Sequence, residues 1–361
     1  MNAIDSISLR SEIPEFSVEF DTVPVTRYSY RGCSYIKNAE VGMPRIPDSV
    51  KSAAIYLFDS KLSALVRKPI GGTGFLVSLA SERHRGNYIY AVTNAHVIQK
   101  GYSCISVNTK DGETDVFELD PADWCPHGSY DISITKNPLN IDNDKHDVST
   151  IPTSMFASDE VIKKEGIGIG DDLFMVGRFV DSQGVATNNP TVRFGNISAM
   201  PTLLSHSITK KNAPCYIVDM HSRDGYSGSA VFMYRTMGTN IDKIIKDGKT
   251  TFDQASMWFL GIHFSQFNEP WKVEFQGIEC EVKGLSGMTK VDPASGILEL
   301  LNLKELKDVR DSQDELKCKY DAEDMLESAT PHRGDEILKR MLETPPAPKT
   351  TKKPKAKKTA G

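Results

Sequence analysis

The chain has 361 residues, of which 39% are hydrophobic and 25% charged, a composition typical of a folded globular protein rather than a disordered one. No apolar run approaches the roughly 20 residues that a membrane-spanning helix needs, so a membrane partner is not expected. The formal net charge of −5 combines an acidic body with a basic end, because the stretch after Glu343 holds six lysines and no acid. This distribution speaks against nucleic-acid binding by the folded part.

The chain is predicted to have four segments. Residues 1–46 form an N-terminal arm with short β-prone runs among prolines, and residues 47–304 form the main folded domain, whose two halves divide near residues 150–165. Residues 305–343 are charged, with widely spaced apolar residues, which indicates a helical extension on the surface. The Pro/Lys-rich residues 344–361 are expected to be disordered.

The main domain consists of short apolar runs separated by turn residues. Such runs, rich in β-branched and aromatic residues, predict an all-β fold, either a sandwich or a barrel. The runs are AAIYLF, GFLVSL, YIYAVTNAHVI, DISIT, DLFMVGRF, YIVDM, SAVFMY and MWFLGIHF. Helical spacing of apolar residues begins only at ASGILELLNLKEL, close to the end of the domain.

The spacing of the cysteines and the residues at the N-terminus indicate which cofactors and which cellular location to expect. The six cysteines are scattered, with no CxxC pair and no close Cys/His cluster. This spacing argues against a zinc site and a dense disulfide framework, so reduced and mostly buried thiols are expected. The N-terminus lacks the basic start and apolar core of a signal peptide. We therefore expect a cytoplasmic location, and neither a metal nor an organic cofactor.

Three segments supply the residue types that nucleophilic attack on an amide requires. YIYAVTNAHVI places His96 at the end of a predicted strand, and YDISI places Asp131 at the start of another, 35 residues later. GYSGS places Ser227 between glycines, just before a third strand. A serine, a histidine base and an aspartate that orients the histidine form a catalytic triad. Asp120 and Asp123 are alternatives for the acid, but no apolar strand follows them.

The glycines beside Ser227 have a predicted role of their own. Gly225 lets the loop turn so that its backbone N–H and that of Ser227 point at one spot. Two such donors would stabilise the oxyanion that forms when a hydroxyl attacks a carbonyl. Gly228 leaves room for a substrate backbone beside the nucleophile.

GTGFLV, TNAHV, YDISI, GYSGSAV and FLGIH, in this order, resemble the chymotrypsin/trypsin clan of serine peptidases over roughly residues 50–300. The resemblance implies two six-stranded antiparallel β-barrels with the active site between them, followed here by the C-terminal helical extension. His96 and Asp131 would come from the first barrel and Ser227 from the second. The implied activity is that of a serine endopeptidase that cleaves proteins or peptides through an acyl-enzyme.

At several positions the sequence departs from the animal enzymes, and these departures indicate which branch of the clan it resembles. Val97 stands where those enzymes have a cysteine beside the catalytic histidine, and Tyr226 stands where a zymogen-activated enzyme has an aspartate. Both changes resemble the bacterial and viral branches, which fold without multiple disulfides. His221 stands where trypsin has the aspartate of its pocket, so a preference for Lys or Arg is not expected.

GIHFSQ resembles the GIHWGG stretch of glutamyl endopeptidases. His263 matches the histidine that contacts an acidic side chain there, and Ser222 matches a hydroxyl of the pocket. Together with His221 they form the predicted substrate-binding set, and cleavage after Glu or Asp is the resulting hypothesis. Ser265 and Gln266 depart from the family's two glycines. A purely structural role for either histidine remains open.

A second class of function also remains open. The chain could be a protease-fold binding module or effector that is latent or does not cleave, with the N-terminal arm and the C-terminal helix as the controlling elements.

Two further glycine-rich stretches are predicted to be structural. Residues 284–288 (GLSGM) lie where the clan has its last strand. Residues 166–170 (GIGIG) precede a strand rather than a helix and form a connecting loop.

Overall fold

The computed structural model describes residues 46–83, 86–182, 184–206, 209–235, 256–275 and 278–329, the last stretch in part by its backbone alone. One compact unit begins at Ile46 and contains all of these residues. The rest of the predicted N-terminal arm and the predicted lysine-rich tail lie outside the described residues.

The first sheet is built from the N-terminal half of the domain. Its strands run in the order β5-β4-β1-β2-β3-β7-β6 and pair antiparallel, and β8 adds to β2 in parallel. The strands are β1 (Ala54–Phe58), β2 (Gly72–Ala80), β3 (Asn87–Thr93), β4 (Cys104–Asn108), β5 (Thr114–Phe117), β6 (Trp124–Pro126), β7 (Ser133–Thr135) and β8 (Ile151–Pro152).

The second sheet is a closed antiparallel barrel with the order β10-β11-β14-β13-β12-β9. Closure leaves the barrel without an unpaired edge. Its strands are β9 (Asp172–Gly177), β10 (Thr191–Ser205), β11 (Asn212–Asp219), β12 (Ala230–Arg235), β13 (Ser256–Phe275) and β14 (Ile278–Pro293).

Helices are few and short until the C-terminal end. The α-helices are α1 (Asp48–Ser52), α2 (Lys61–Leu65), α3 (Ala95–Gln99), α4 (Asp159–Glu165), α5 (Ser295–Leu301) and α6 (Lys304–Ala329). Three 3₁₀ turns occur at Pro121–Asp123, Thr153–Met155 and Val180–Ser182. Among the described residues, none of the helices is both long and apolar enough to cross a membrane.

One hydrophobic core joins the two sheets and α5. The ring centroid of Phe259 on β13 lies 5.2 Å from that of Phe75 on β2, and both residues are buried. Ile297 and Leu300 of α5 belong to the same cluster. Because the two sheets share this core, side-chain packing as well as the covalent connection keeps them together on either side of the cleft.

The prediction of an all-β, chymotrypsin-like fold followed by C-terminal helices is confirmed. The first half differs from a six-stranded barrel, because it has eight strands and its hydrogen-bonded path ends at β5 and β6. Phe117 of β5 and Trp124 of β6 pack into one apolar cluster with the interior of the sheet. Side-chain packing, rather than a last row of backbone hydrogen bonds, therefore closes this half.

Residues 284–288 lie within β14, and residues 166–170 form the loop from α4 to β9. Of the described cysteines, Cys104, Cys125 and Cys215 are buried, Cys280 is exposed, and none forms a disulfide. The predicted extension over residues 305–343 corresponds to α6 as far as Ala329, and its remainder lies outside the described residues.

Candidate active site

His96 lies in a short helix rather than at the end of a strand. β3 ends at Thr93, and α3 begins at Ala95 with three buried residues, Ala95, Val97 and Ile98. Val97 and Ile98 pack into the core of the first sheet, which favours the helical turn here. The partly buried imidazole of His96 thereby faces the cleft between the two sheets.

Asp131 is bonded to His96 at two points. Its Oδ2 lies 2.6 Å from Nδ1 of His96, and its Oδ1 accepts the backbone N–H of His96 at 2.9 Å. The Asn94 side chain donates to the backbone carbonyl of Asp131 at 2.7 Å. The structure thus brings Asp131 to His96, whereas Asp120 and Asp123 bond to each other in an exposed turn.

Ser227 lies in a loop that Tyr226 anchors to the barrel. The Tyr226 ring is fully buried, and its hydroxyl bonds to Thr191 and to Nε of Arg193. Its backbone N–H donates to the carbonyl of Arg223 at 3.2 Å, which closes a tight turn. Gly225 occupies the third position of that turn with φ +95°, a conformation that favours glycine. The buried Tyr226 leaves the next side chain, Ser227, at the cleft.

Thr73 on β2 connects this loop to both sheets. Its hydroxyl donates to the Gly225 carbonyl at 2.6 Å and accepts the backbone N–H of Arg178 at 2.8 Å. Its backbone N–H donates to the Ser227 carbonyl at 2.9 Å, and its own carbonyl accepts the Thr93 hydroxyl at 2.7 Å. Thr73 is fully buried, so these bonds are shielded from water.

The backbone N–H groups of Gly225 and Ser227 remain available to a ligand. Neither donates a hydrogen bond within the described part of the chain. The neighbouring N–H groups of Tyr226 and Gly228 are engaged, the latter with the carbonyl of His263 at 3.0 Å. Gly228 has φ +89°, and a Cβ there would overlap the carbonyl of Thr73. An oxyanion hole needs unpaired donors of this kind beside the nucleophile.

His96 and Ser227 line one cleft with a volume of about 250 Å³. The structure contains no hydrogen bond between the Ser227 hydroxyl and the His96 imidazole, among the described residues. In peptidases without substrate this contact is often long. His96 and Asp131 are therefore in contact, and Ser227 lies beside His96 in the same cleft.

The predicted substrate-binding residues divide into two groups. Ser222 and His263 are buried side chains that line the cleft. His221 is exposed and is not part of the cleft lining, and its ring lies against Gly287 of β14. The structure thus does not bring His221 to the other two. Gly287 has φ +85°, and a side chain there would meet the His221 ring.

The His263 imidazole is almost completely enclosed. Burial, with a smaller contribution from the nearby His96, lowers the pKa of His263 to about 4. The backbone of Tyr226 acts against this lowering. At neutral pH the ring is therefore uncharged, and both of its nitrogens are buried.

Several residues of the site were not identified from the sequence. Lys100, Arg223 and Asp224 line the cleft and give its rim two positive charges and one negative charge. Thr73 and Asn94 hold the Ser227 loop and Asp131 in place through hydrogen bonds to the carbonyls of Gly225 and Asp131. Thr73 belongs to GTGFLV and Asn94 to TNAHV, so both lie inside motifs that were recognised, but only the contacts between distant segments reveal their roles.

No family model and no curated protein sequence matches the chain. Several solved structures are similar to it. The apo MamO protease domain from Magnetospirillum magneticum is 14% identical, with 71% of this chain and 98% of that domain covered and a TM-score of 0.38. The HtrA-type protease AlgW, solved with a decapeptide, is 18% identical (66% and 51% covered, TM-score 0.34). Deg5 is 14% identical (70% and 88% covered, TM-score 0.36).

These identities and TM-scores are low, so the assignment of the fold depends on the strand order itself. A first antiparallel sheet, a closed six-stranded second barrel and a cleft between them are the arrangement of chymotrypsin-clan serine peptidases. The resemblance predicted from the motifs is confirmed at the level of the fold.

Proposed function

We propose that the chain is a serine endopeptidase. Ser227 attacks the scissile carbonyl, and His96 takes the hydroxyl proton and later delivers it to the leaving amine. Asp131 keeps the imidazole in the required tautomer and orientation. The N–H groups of Gly225 and Ser227 stabilise the oxyanion of each tetrahedral intermediate. Water then hydrolyses the acyl-enzyme, with His96 again acting as the base.

One observation carries this proposal. A histidine whose Nδ1 lies 2.6 Å from a buried carboxylate shares a cleft with a serine beside two unpaired backbone N–H groups. A purely structural histidine needs none of these neighbours. An orienting acid, a base, a nucleophile and oxyanion donors in one cleft are the parts that acyl transfer requires.

The test is hydrolysis of unfolded protein and of a mixed peptide library. We expect turnover by the wild type and a loss of up to about 10⁶-fold in Ser227→Ala, since triad members act as a unit. Ser229→Ala is a matched control, because this second serine of GYSGS is fully buried. Equal turnover by the wild type and Ser227→Ala would overturn the proposal.

We further propose that the enzyme prefers Glu or Asp before the cleaved bond. The cleft is lined by the neutral His263, by Ser222 and by the cation of Arg223, and a bound carboxylate would draw the buried His263 N–H toward it. Hydrogen bonds from such groups to a carboxylate are stronger than those to a neutral amide. Paired peptides that differ only by Glu or Gln provide the test: His263→Phe should abolish a preference for Glu. A preference for Leu, Phe or Lys in the wild type would refute it.

The alternative function is a latent or non-cleaving protease-fold module. It is favoured by one observation, the missing hydrogen bond between Ser227 and His96 in the described residues. Such a module would bind a peptide in the cleft and release it intact. Peptide binding measured with the wild type and with Ser227→Ala, followed by mass analysis of the peptide, separates the two functions. Intact peptide after prolonged binding to the wild type supports the module.

A further inference from the structure

A second buried carboxyl group lies directly behind Asp131. Asp292 is near the end of β14, on the barrel that carries Ser227, and it is 0% exposed. Its Oδ2 accepts the backbone N–H of Asp131 at 2.8 Å. Its contact with Asp131 therefore connects the second barrel to the acid of the first sheet.

The other oxygen of Asp292 faces a buried histidine. Oδ1 lies 3.3 Å from Nε2 of His206, which is 1% exposed. The His206 ring stacks on Phe264, with centroids 4.5 Å apart and planes 15° apart. Within the described part of the chain, neither Oδ1 nor either ring nitrogen has a hydrogen-bond partner, so the 3.3 Å contact is a close approach rather than a hydrogen bond.

The surroundings disfavour charge on either member of this pair. Asp131, itself 1% exposed, already places a carboxylate beside Asp292. Burial and this neighbouring charge raise the pKa of Asp292 well above its usual value, and burial lowers the pKa of His206. The other titratable groups that influence or face the pair are Lys290, His127, Cys215 and Tyr130. An ionised Asp292 would add a second negative charge to a site closed to water.

We propose that Asp292 is a positioning residue that holds the backbone of Asp131 as a neutral carboxylic acid. Its Oδ2 accepts the N–H of Asp131, and the proton resides on Oδ1, directed toward Nε2 of His206. A neutral acceptor fixes Asp131 without weakening its interaction with His96. The effect on catalysis rests on the proposed function, whereas the protonation state does not.

The proposal predicts that asparagine replaces Asp292 well. In Asp292→Asn the amide oxygen can accept the N–H of Asp131, and the amide NH₂ takes the place of the acid's O–H on the side that faces His206. Asp292→Val has a similar size but offers no acceptor. We expect kcat within about threefold of wild type for the asparagine variant. For the valine variant we expect a loss of tenfold or more in kcat, with KM little changed.

The folding equilibrium tests the protonation state without any activity. An aspartate in the unfolded chain loses its proton near pH 4. If native Asp292 keeps its proton, the wild type becomes less stable relative to Asp292→Asn as the pH rises above about 4. The relative unfolding constant should rise tenfold per pH unit until the native pKa is reached. His206 is present in both proteins, so its own titration largely cancels.

Urea unfolding between pH 4.5 and 7.5 measures this difference, with Ser227→Ala as the background so that self-cleavage plays no part. Asp219→Asn, at an exposed aspartate of the same barrel, is the control and should show a difference independent of pH. A flat or opposite trend for Asp292→Asn, or failure of this variant to fold, would overturn the proposal. If the trend is as expected but no variant hydrolyses peptide, the proposed function fails while the protonation state stands.

Discussion

Replacing Thr73 by valine tests how the loop of Ser227 is held. The substitution removes a hydroxyl that donates to the Gly225 carbonyl at 2.6 Å and accepts the Arg178 N–H at 2.8 Å. Arg178 is fully buried, and loss of this hydrogen bond to its backbone N–H costs about 1–3 kcal/mol of folding free energy. The Gly225 carbonyl also loses its hydrogen bond to the β2 side chain, so the backbone of Gly225, which carries one of the proposed oxyanion donors, is held less firmly.

The expected fall in kcat has an upper limit, which is the loss caused by removing one oxyanion donor entirely. Complete loss of one oxyanion donor typically lowers kcat by about 10²–10³-fold. Thr73→Val disorients the donor of Gly225 rather than removing it, so we expect a fall of about 10–100-fold in kcat with KM nearly unchanged. Steady-state hydrolysis and urea unfolding measure the two effects.

Two matched variants make this experiment decisive. Thr73→Ser keeps the hydroxyl and should stay within about threefold of the wild-type kcat. Thr93→Val removes only the hydroxyl bonded to the Thr73 carbonyl and should lower stability more than kcat. A wild-type kcat in Thr73→Val would refute the idea that this hydroxyl orients the oxyanion donors.

Three further predictions concern glycine, the core and the pocket. Gly228→Ala should destabilise the protein and abolish activity, because φ is +89° and the new Cβ would overlap the Thr73 carbonyl; thermal unfolding and turnover measure both. Phe259→Ala should lower the free energy of unfolding by about 3–5 kcal/mol in urea titrations, since this ring packs where the two sheets meet. His263→Gln should keep turnover on a Gln peptide while reducing the preference for Glu, measured as a ratio of kcat/KM values.

The strand pattern and the order of the chemical motifs could be predicted from the sequence. Runs such as AAIYLF and DLFMVGRF became β1 and β9 because β-branched and aromatic residues fit a buried pleated surface. His96, Asp131 and Ser227 were selected by type and order, and the structure places the first two in contact and the third in the same cleft.

The remaining features depend on contacts between residues far apart in sequence. Thr73 meets Gly225 across 152 positions, and Asp131 meets Asp292 across 161. No local pattern encodes such pairings. The sequence predicts strand at His96 because YIYAVTNAHVI is mostly apolar, and periodicity cannot separate a buried strand from a buried helical turn. His221 was assigned to the pocket by motif position, but its backbone directs it toward Gly287 instead.

The most direct test of the central claim is covalent labelling with a fluorophosphonate probe, which reacts with an activated serine. Intact mass and peptide mapping should show one adduct on the wild type, located on Ser227, and none on Ser227→Ala. His96→Ala should label far more slowly, because the hydroxyl loses its base. Absence of an adduct on the folded wild type, or equal labelling of Ser227→Ala, would contradict the proposed mechanism.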